Sequence, residues 1–277
     1  MKKNKEKSGL KFNTMQETEK NRKKRILIIF LVVALSVALA SVFAIKKEKG
    51  ADTKKKGDQP SATRNIKKEV NFLVGGSSTD GELVFLEQVN LNTGKNRVTV
   101  TPVLLQSQCS DGTALKNVYD GNDESDVSAE KLLEEASRVQ KVNFDRYIIL
   151  QETNISRFVH QLGRYEITLK ENISFSEKGN TISWVKGTRE LSGEDFFTYM
   201  EYLGSAETTT AQYRQAEELA NFIKQEFRQD TVSRGQELFE TLANLADSNI
   251  SVQDYARYSE YLDELSKKEL KISVTEE

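Results

Sequence analysis

Few residues of this 277-residue chain have the types and spacing that catalysis needs. Its one cysteine, Cys109, and its one histidine, His160, could form a thiol–imidazole pair, but one residue of each type is weak support for a nucleophile with its base. The same count argues against a Cys/His metal site. The sequence has no Gly-x-Gly-x-x-Gly, Gly-x-x-x-x-Gly-Lys-Ser/Thr, His-Glu-x-x-His or Gly-x-Ser-x-Gly motif. Dinucleotide binding, P-loop chemistry, zinc proteolysis and serine hydrolysis are therefore not indicated.

One glycine pair follows a predicted strand. The stretch Val74-Gly75-Gly76-Ser77-Ser78 could be a strand-ending loop that binds phosphate through its backbone N–H groups. A tight turn explains the same glycines without a ligand.

The apolar pattern predicts strands separated by helices. Strands are predicted over 70–74, 82–90, 96–103, 146–150, 165–169 and 270–274, with Asn92-Thr93-Gly94-Lys95 as a hairpin turn and Pro102 near a strand end. Helices are predicted over 128–139 with Ser128 as the cap, 153–162, 194–202 with Ser192 as the cap, 213–227 and 238–245. A last helix is predicted after Ser251, which with Asp254 resembles a capping box. Trp184 and Gly187 fall in a connection. This order predicts an α/β fold, a mixed central sheet sandwiched by helices.

A 20-residue apolar run, Ile26–Ile45, precedes this domain and contains no charged residue. A helix of that length spans roughly 30 Å, the thickness of a bilayer's hydrocarbon core, so the run predicts one transmembrane anchor. A cleaved signal peptide is the alternative, but the run is longer than the usual apolar region of about 7–15 residues. The predicted organisation is a basic cytoplasmic tail (1–25), the anchor (26–45), a basic flexible linker (46–68) and an extracytoplasmic α/β domain (69–277).

Charge is divided unevenly along the chain. Residues 1–69 carry a net charge of +12, and the remainder carries −14. The acidic domain argues against nucleic acid as a partner, because a phosphate-binding face needs clustered lysine and arginine. The basic tail favours a cytoplasmic N-terminus, although lysines also follow the anchor, so charge alone indicates the orientation only weakly.

The order of motifs in residues 69–265 is similar to that of the LytR-CpsA-Psr (LCP) family. The resemblance is carried by the strand into Gly75, the following hairpin with Pro102, and these later segments in order: Lys116-Asn117-Val118-Tyr119, Asn143-Phe144-Asp145-Arg146-Tyr147-Ile148, Leu162-Gly163, Leu191-Ser192-Gly193-Glu194, Tyr199-Met200-Glu201-Tyr202 and Arg214-Gln215. The likeness is specific in order and spacing and weak in residue identity. It implies an anchored extracytoplasmic protein of the Gram-positive envelope, related to Mg²⁺-dependent enzymes that transfer glycopolymers from polyprenyl pyrophosphate to the cell wall.

The sequence departs from the family at the positions where active members carry charged groups. Ser77 stands where the resemblance implies an aspartate, and Asp80-Gly81-Glu82 replaces Arg-Ser-Asp. Val103 and Leu104 replace an arginine and an aspartate, while Glu201 and Leu203 replace two arginines. Arg214 and Gln215 remain as candidates for a phosphate or lipid headgroup, and Glu82 as a candidate metal ligand. A pyrophosphate site needs several fixed guanidinium groups, and loss of one charge-stabilising donor can cost about 10²–10³ in rate.

The sequence therefore favours a degenerate LCP-like domain with a non-catalytic binding or accessory role in glycopolymer attachment and no cofactor. Possible partners are membrane lipid at the anchor, a polyprenyl-linked lipid and envelope proteins. Two alternatives stay open. One is a divergent Mg²⁺-dependent phosphotransferase that uses Glu82 and Arg214. The other is a structural, membrane-tethered interaction module in which Arg214 is an ordinary helix-surface residue.

Overall fold

The computed structural model describes residues 68–123, 127–162, 165–177, 180–226, 234–251, 254, 258, 265 and 269–275. The predicted tail, anchor and most of the linker lie outside the described residues, as do Gly163 and most of the last predicted helix. Among the residues described, no helix is long and apolar enough to cross a membrane.

Six strands form one mixed sheet. They are β1 (Glu69–Ser77), β2 (Leu83–Asn92), β3 (Arg97–Pro102), β4 (Arg146–Gln151), β9 (Asp247–Ser248) and β10 (Lys271–Val274), in the spatial order β10-β3-β2-β1-β4-β9. The pairs β1–β4 and β3–β10 are parallel, and the others are antiparallel. Two further antiparallel pairs stand apart: β5 (Tyr165–Leu169) with β8 (Gly187–Leu191), and β6 (Ile173–Glu177) with β7 (Asn180–Trp184).

Helices cover both faces of the sheet. One face packs against α1 (Val127–Gln140), with Leu132 and Ala136 inward. The other packs against α2 (Glu152–Leu162), α3 (Gly193–Gly204), α4 (Thr209–Glu226) and α5 (Gly235–Leu245). The alternation of β1 places Phe72 and Val74 in the larger core and Leu73 in the smaller one. The predicted mixed sheet between helices is thus the observed arrangement.

Most predicted elements match the observed ones within two or three residues. The turn at 92–95, the end of β3 at Pro102 and strand 165–169 are confirmed. The Ser192 prediction is confirmed in full, because the Ser192 hydroxyl accepts from the Asp195 N–H and Asp195 Oδ2 accepts from the Ser192 N–H. Ser251 and Asp254 make the same reciprocal pair.

Three predictions need correction. Ser128 is the second residue of α1 and not the residue before it. Trp184 and Gly187 lie in strands and not in a connection: Trp184 ends β7 and Gly187 begins β8. Gly75 and Gly76 lie inside β1, where a Cβ on Gly76 would be 2.2 Å from Cε1 of Phe85. Close packing against an aromatic ring explains Gly76, which is neither in a phosphate loop nor in a tight turn.

Candidate functional site

A cleft opens where the start of β2, the segment after β3, the end of α3 and the start of α4 meet. We call it the polar cleft, and its volume is about 120 Å³. These elements contain several of the positions at which the sequence resembles or departs from the LCP family. The residues that line it are Leu83, Val84, Leu105, Gln106, Lys116, Glu201, Gly204, Ser205, Glu207, Gln212 and Gln215.

Two glutamines of α4 tie the cleft together. They are three residues apart and so lie on one face of the helix. Gln215 is buried, and its Nε2 donates to the carbonyl oxygens of Val84 at 3.0 Å and Met200 at 2.9 Å. Gln212 Oε1 accepts from the Leu105 N–H at 3.0 Å. The two amides therefore connect α4 to β2, to α3 and to the segment after β3.

The charged side chains of the cleft are two glutamates and one lysine. Glu207 accepts from Lys116 Nζ at 2.9 Å through Oε1 and from Gln106 Nε2 at 2.9 Å through Oε2. Glu201 adds a second carboxylate. The formal charge of the lining is therefore −1, and no arginine is among the described residues that form it. A pyrophosphate would meet two carboxylates and one lysine that is already paired.

The sequence-predicted candidates do not all lie in the polar cleft. Gln215 and Glu201 line it, but Arg214 and Leu203 line a different cavity, between α3 and α4 on their other side. Consecutive helical residues point about 100° apart, so Arg214 and Gln215 face different surroundings. Glu82 is exposed in the turn before β2, next to Leu83 of the cleft. The predicted roles of Arg214 and Glu82 stay predictions.

Other positions that depart from the family pattern lie in the segment after β3 or in the turn before β2. Val103 is 1% exposed and packs in the smaller core, and Leu104 is half-buried. Asp80 is exposed, and its carbonyl accepts from Asn122. Ser78, Gly81 and Glu82 close a turn, in which the Ser78 N–H donates to the Glu82 carbonyl at 2.9 Å.

Ser77 ends β1 in a small buried polar cluster. It is fully buried, and its Oγ has no partner that meets hydrogen-bond geometry. Tyr119 lies close by, and its hydroxyl donates to Asp247 Oδ2 at 3.0 Å. Burial, and next the Asp247 charge, raise the pKa of Tyr119, while the nearby Ser77 hydroxyl acts weakly in the opposite direction. A phenol with a raised pKa is a hydrogen-bond donor at neutral pH and not a base.

The described residues contain no group of three or more His, Cys, Asp or Glu side chains placed to hold a metal ion. Mg²⁺ in phosphoryl-transfer sites is usually held by only one or two carboxylates together with water and substrate phosphates, so the metal role of Glu82 stays a prediction. Cys109 and His160 do not form a thiol pair. Cys109 is buried in the core beneath α1, whereas His160 is exposed on α2, which covers the opposite face. Burial also raises the pKa of the Cys109 thiol.

Comparison with known proteins gives the fold a precedent. No protein-family profile and no curated protein sequence matches the chain. Solved structures do match. A protein from Eubacterium siraeum, described as a candidate transcription regulator, aligns with a TM-score of 0.63 at 16% identity over 81% of this chain and 89% of its own. TagV of B. subtilis aligns with a TM-score of 0.55 at 15% identity over 75% of this chain and 85% of its own.

The domain therefore has an LCP-like fold. TagT, solved bound to LI-WTA, aligns with a TM-score of 0.50 at 16% identity over 80% of each chain, and TagT and TagV are LCP proteins. At these identities the likeness shows the LCP-like fold and not the activity. It confirms the resemblance found in the order of the sequence motifs.

Sequence reasoning missed two contributors to the LCP-like domain's cleft. They are Glu207 and Gln212. Gln212 lies one residue before the predicted helix 213–227, and only the observed start of α4 at Thr209 places it on the same helical face as Gln215. Glu207 had no signal in the sequence. It lies between α3 and α4 with a positive φ of 47°, and only the fold brings it to Lys116.

Proposed function

We propose that this chain is a membrane-anchored, extracytoplasmic LCP-like protein with a non-catalytic binding or accessory role in the attachment of cell-wall glycopolymer. The LCP-like fold and the LI-WTA bound to the structural neighbour TagT support the glycopolymer class. The apolar run Ile26–Ile45 supports the anchor. One observation carries the non-catalytic part: the polar cleft has a net charge of −1 and no arginine among its described lining residues.

The physical argument concerns the charge of the ligand. A pyrophosphate-linked donor brings negative charge, and its transfer develops more on the leaving oxygens. Catalysis of phosphoryl transfer consists mostly of positioning and of stabilising that charge with guanidinium groups and metal ions. The polar cleft offers Lys116, which Glu207 already neutralises, and Glu201, whose carboxylate repels phosphate. Such a cleft is suited to neutral or cationic groups.

A transfer assay tests the non-catalytic part. The full-length chain in detergent would be incubated with Mg²⁺, a polyprenyl-pyrophosphate-linked glycan and a peptidoglycan acceptor, alongside an active LCP enzyme. We expect no product above the protein-free control. Product formation that disappears in Arg214→Ala, with the fold intact, would contradict the proposal and favour the divergent enzyme.

The location has a separate test. Protease added to intact cells should digest the domain while sparing the basic tail, if the domain faces outward. Digestion only after lysis would contradict the outward orientation.

A further inference from the structure

A second cavity lies on the other side of α3 and α4 from the polar cleft. We call it the tyrosine cavity, and its volume is about 370 Å³. Its walls are the segment between β5 and β6, one face of α3 and one face of α4. The volume lies within the range of small-molecule sites in proteins, roughly 300–1,000 Å³.

One wall is aromatic. Tyr199 and Tyr202, three residues apart on α3, lie nearly parallel, with ring centroids 6.1 Å apart and 19° between their planes. Phe175 packs edge-on against Tyr202 at 5.8 Å, and Trp184 packs against Tyr199 at 5.8 Å. The aromatic neighbours fix the tyrosine rings in place. Both tyrosines remain partly exposed where they line the cavity.

The opposite wall, on α4, carries polar groups. Glu218 lies close to the Tyr165 hydroxyl and the Asn221 amide, and its Oε1 is buried with no partner that meets hydrogen-bond geometry. Burial raises the pKa of Glu218. A buried carboxylate oxygen without a partner is uncommon in folded proteins and calls for a donor. Glu218 is also a lining residue of the cavity, so a ligand bound there lies beside its carboxylate.

Two cations and two more carboxylates complete the lining: Lys170, Arg214, Glu171 and Glu217. Three carboxylates against two cations disfavour a phosphate ligand. A hydrocarbon chain is disfavoured too, because it would remove these charged groups from water without pairing them. The lining instead combines hydrogen-bond acceptors, hydrogen-bond donors and the faces of aromatic rings. A pyranose has the complementary surface, with hydroxyl groups around its edge and C–H groups on its faces.

We infer that the tyrosine cavity is a binding site for a pyranose saccharide, with the sugar against Tyr199 and Tyr202 and a hydroxyl donating to Glu218. The site is distinct from the polar cleft and adds to the proposed function, and each has its own assay. Sugar binding here requires no pyrophosphate and no metal ion.

The chain carries its own reporter for this site, because Trp184 is its one tryptophan and packs on Tyr199. The full-length chain in detergent would be titrated with maltotriose, cellotriose and tri-N-acetylchitotriose, following Trp184 fluorescence and, independently of the tryptophan, saturation-transfer NMR. We expect at least one trisaccharide to bind. We expect Tyr202→Leu and Glu218→Gln each to weaken that binding tenfold or more.

Two further variants keep the test decisive. Glu217 is exposed, so Glu217→Ala should fold normally and still weaken binding severalfold. Glu130→Ala, at an exposed position of α1 on the opposite face of the sheet, is the matched control and should leave the dissociation constant unchanged. Absence of binding by all three sugars, or equal binding by Glu217→Ala, Glu218→Gln and the parent chain, would overturn the inference. The transfer assay described above measures glycan transfer and not sugar binding, so its outcome and that of the sugar titration are read separately.

Discussion

The side-chain amide of Gln215 occupies the space that a side chain on Gly204 would need. A Cβ on Gly204 would be 2.3 Å from Nε2 of Gln215, which donates to both Val84 and Met200. The end of α3 and the start of α4 can approach this closely because residue 204 has no side chain. The geometry of the polar cleft depends on that contact.

Gly204→Ala should therefore destabilise the protein by about 1–3 kcal/mol, because the new methyl group displaces Gln215 from two main-chain acceptors. Denaturant unfolding measures the loss. Gly94→Ala is the control, since its Cβ would meet nothing closer than 3.4 Å. In the double variant Gly204→Ala/Gln215→Ala, the two effects should be less than additive. Additive effects would show that the two residues are not coupled.

Glu87 on β2 should make stability depend on pH. It is 1% exposed, its Oε2 has no partner, and burial raises its pKa well above the usual value. A raised folded-state pKa means that the stability of the parent chain falls as pH rises from the unfolded pKa of about 4.3 to the folded one. Glu87→Gln keeps the shape and cannot ionise, so it should become progressively more stable than the parent over that range, by up to about 1.4 kcal/mol per pH unit.

Denaturant midpoints from pH 4 to pH 8 measure this difference. Glu166→Gln, at an exposed position on β5, is the matched control and should track the parent. A constant difference between Glu87→Gln and the parent at every pH would show that Glu87 does not titrate in this way.

Asp254 should contribute acid-sensitive stability. Its carboxylate oxygens accept hydrogen bonds from Nε and Nη2 of Arg146 at 2.8 and 2.6 Å. Burial raises its pKa, but Arg146 and Ser251 outweigh burial and lower the pKa overall. Because its pKa is lower in the folded state, Asp254 adds to the free energy of unfolding at pH values above its unfolded-state pKa of about 3.9. This stabilisation is lost as the pH falls through the folded-state pKa.

Asp254→Asn should cost about 1.5–3 kcal/mol at pH 7, because Arg146 is partly exposed, and progressively less towards pH 2. Asp195→Asn is a close control, because Asp195 holds the same place in the Ser192 capping box and is not paired with Arg146. Its cost should be about 1 kcal/mol. Equal losses of stability in the two variants would show that the ion pair between Arg146 and Asp254 adds no stability beyond that of the capping box.

Glu201→Arg should create anion affinity in the polar cleft. The substitution changes the formal charge of the lining from −1 to +1 and adds a planar donor that matches phosphate oxygens. Calorimetry with inorganic pyrophosphate at low salt should detect binding by this variant and none by the parent chain. Glu194→Arg makes the same charge change at an exposed position of α3 outside the cleft and should not bind. Equal binding by both variants would indicate non-specific attraction.

Much of this fold could be predicted from local sequence, and the parts that could not depend on tertiary contacts. Strand β5 and the helix cap at Ser192 are predicted from local sequence, and both are observed. Strands β6 and β7 show only weak alternation of Ser, Thr and Asn with Ile173, Phe175 and Ile182, and they are stabilised by pairing with each other. Strand β8 is likewise stabilised by a tertiary contact, its pairing with β5. Gly76 was misread because its close partner, Phe85, lies on the neighbouring strand.

The candidate site shows the same division. Helical spacing separates Arg214 from Gln215, but Gln212 joins Gln215 only because α4 begins at Thr209, four residues before the predicted start at 213. The approach of Glu207 to Lys116 across 91 residues could not be seen before folding. The cavity beside Tyr199 and Tyr202 likewise depends on how α3 and α4 pack against the segment after β5.

The central claim, that the polar cleft does not recognise pyrophosphate, is tested most directly by thermal unfolding of the full-length chain in detergent. The midpoint would be measured with and without a soluble polyprenyl-pyrophosphate analogue and Mg²⁺, because a ligand that binds the folded state raises it. We predict no shift for the parent chain. A clear rise that disappears in Lys116→Ala or Gln215→Ala, with both variants folded, would contradict the account and show that a working headgroup site is present in the polar cleft.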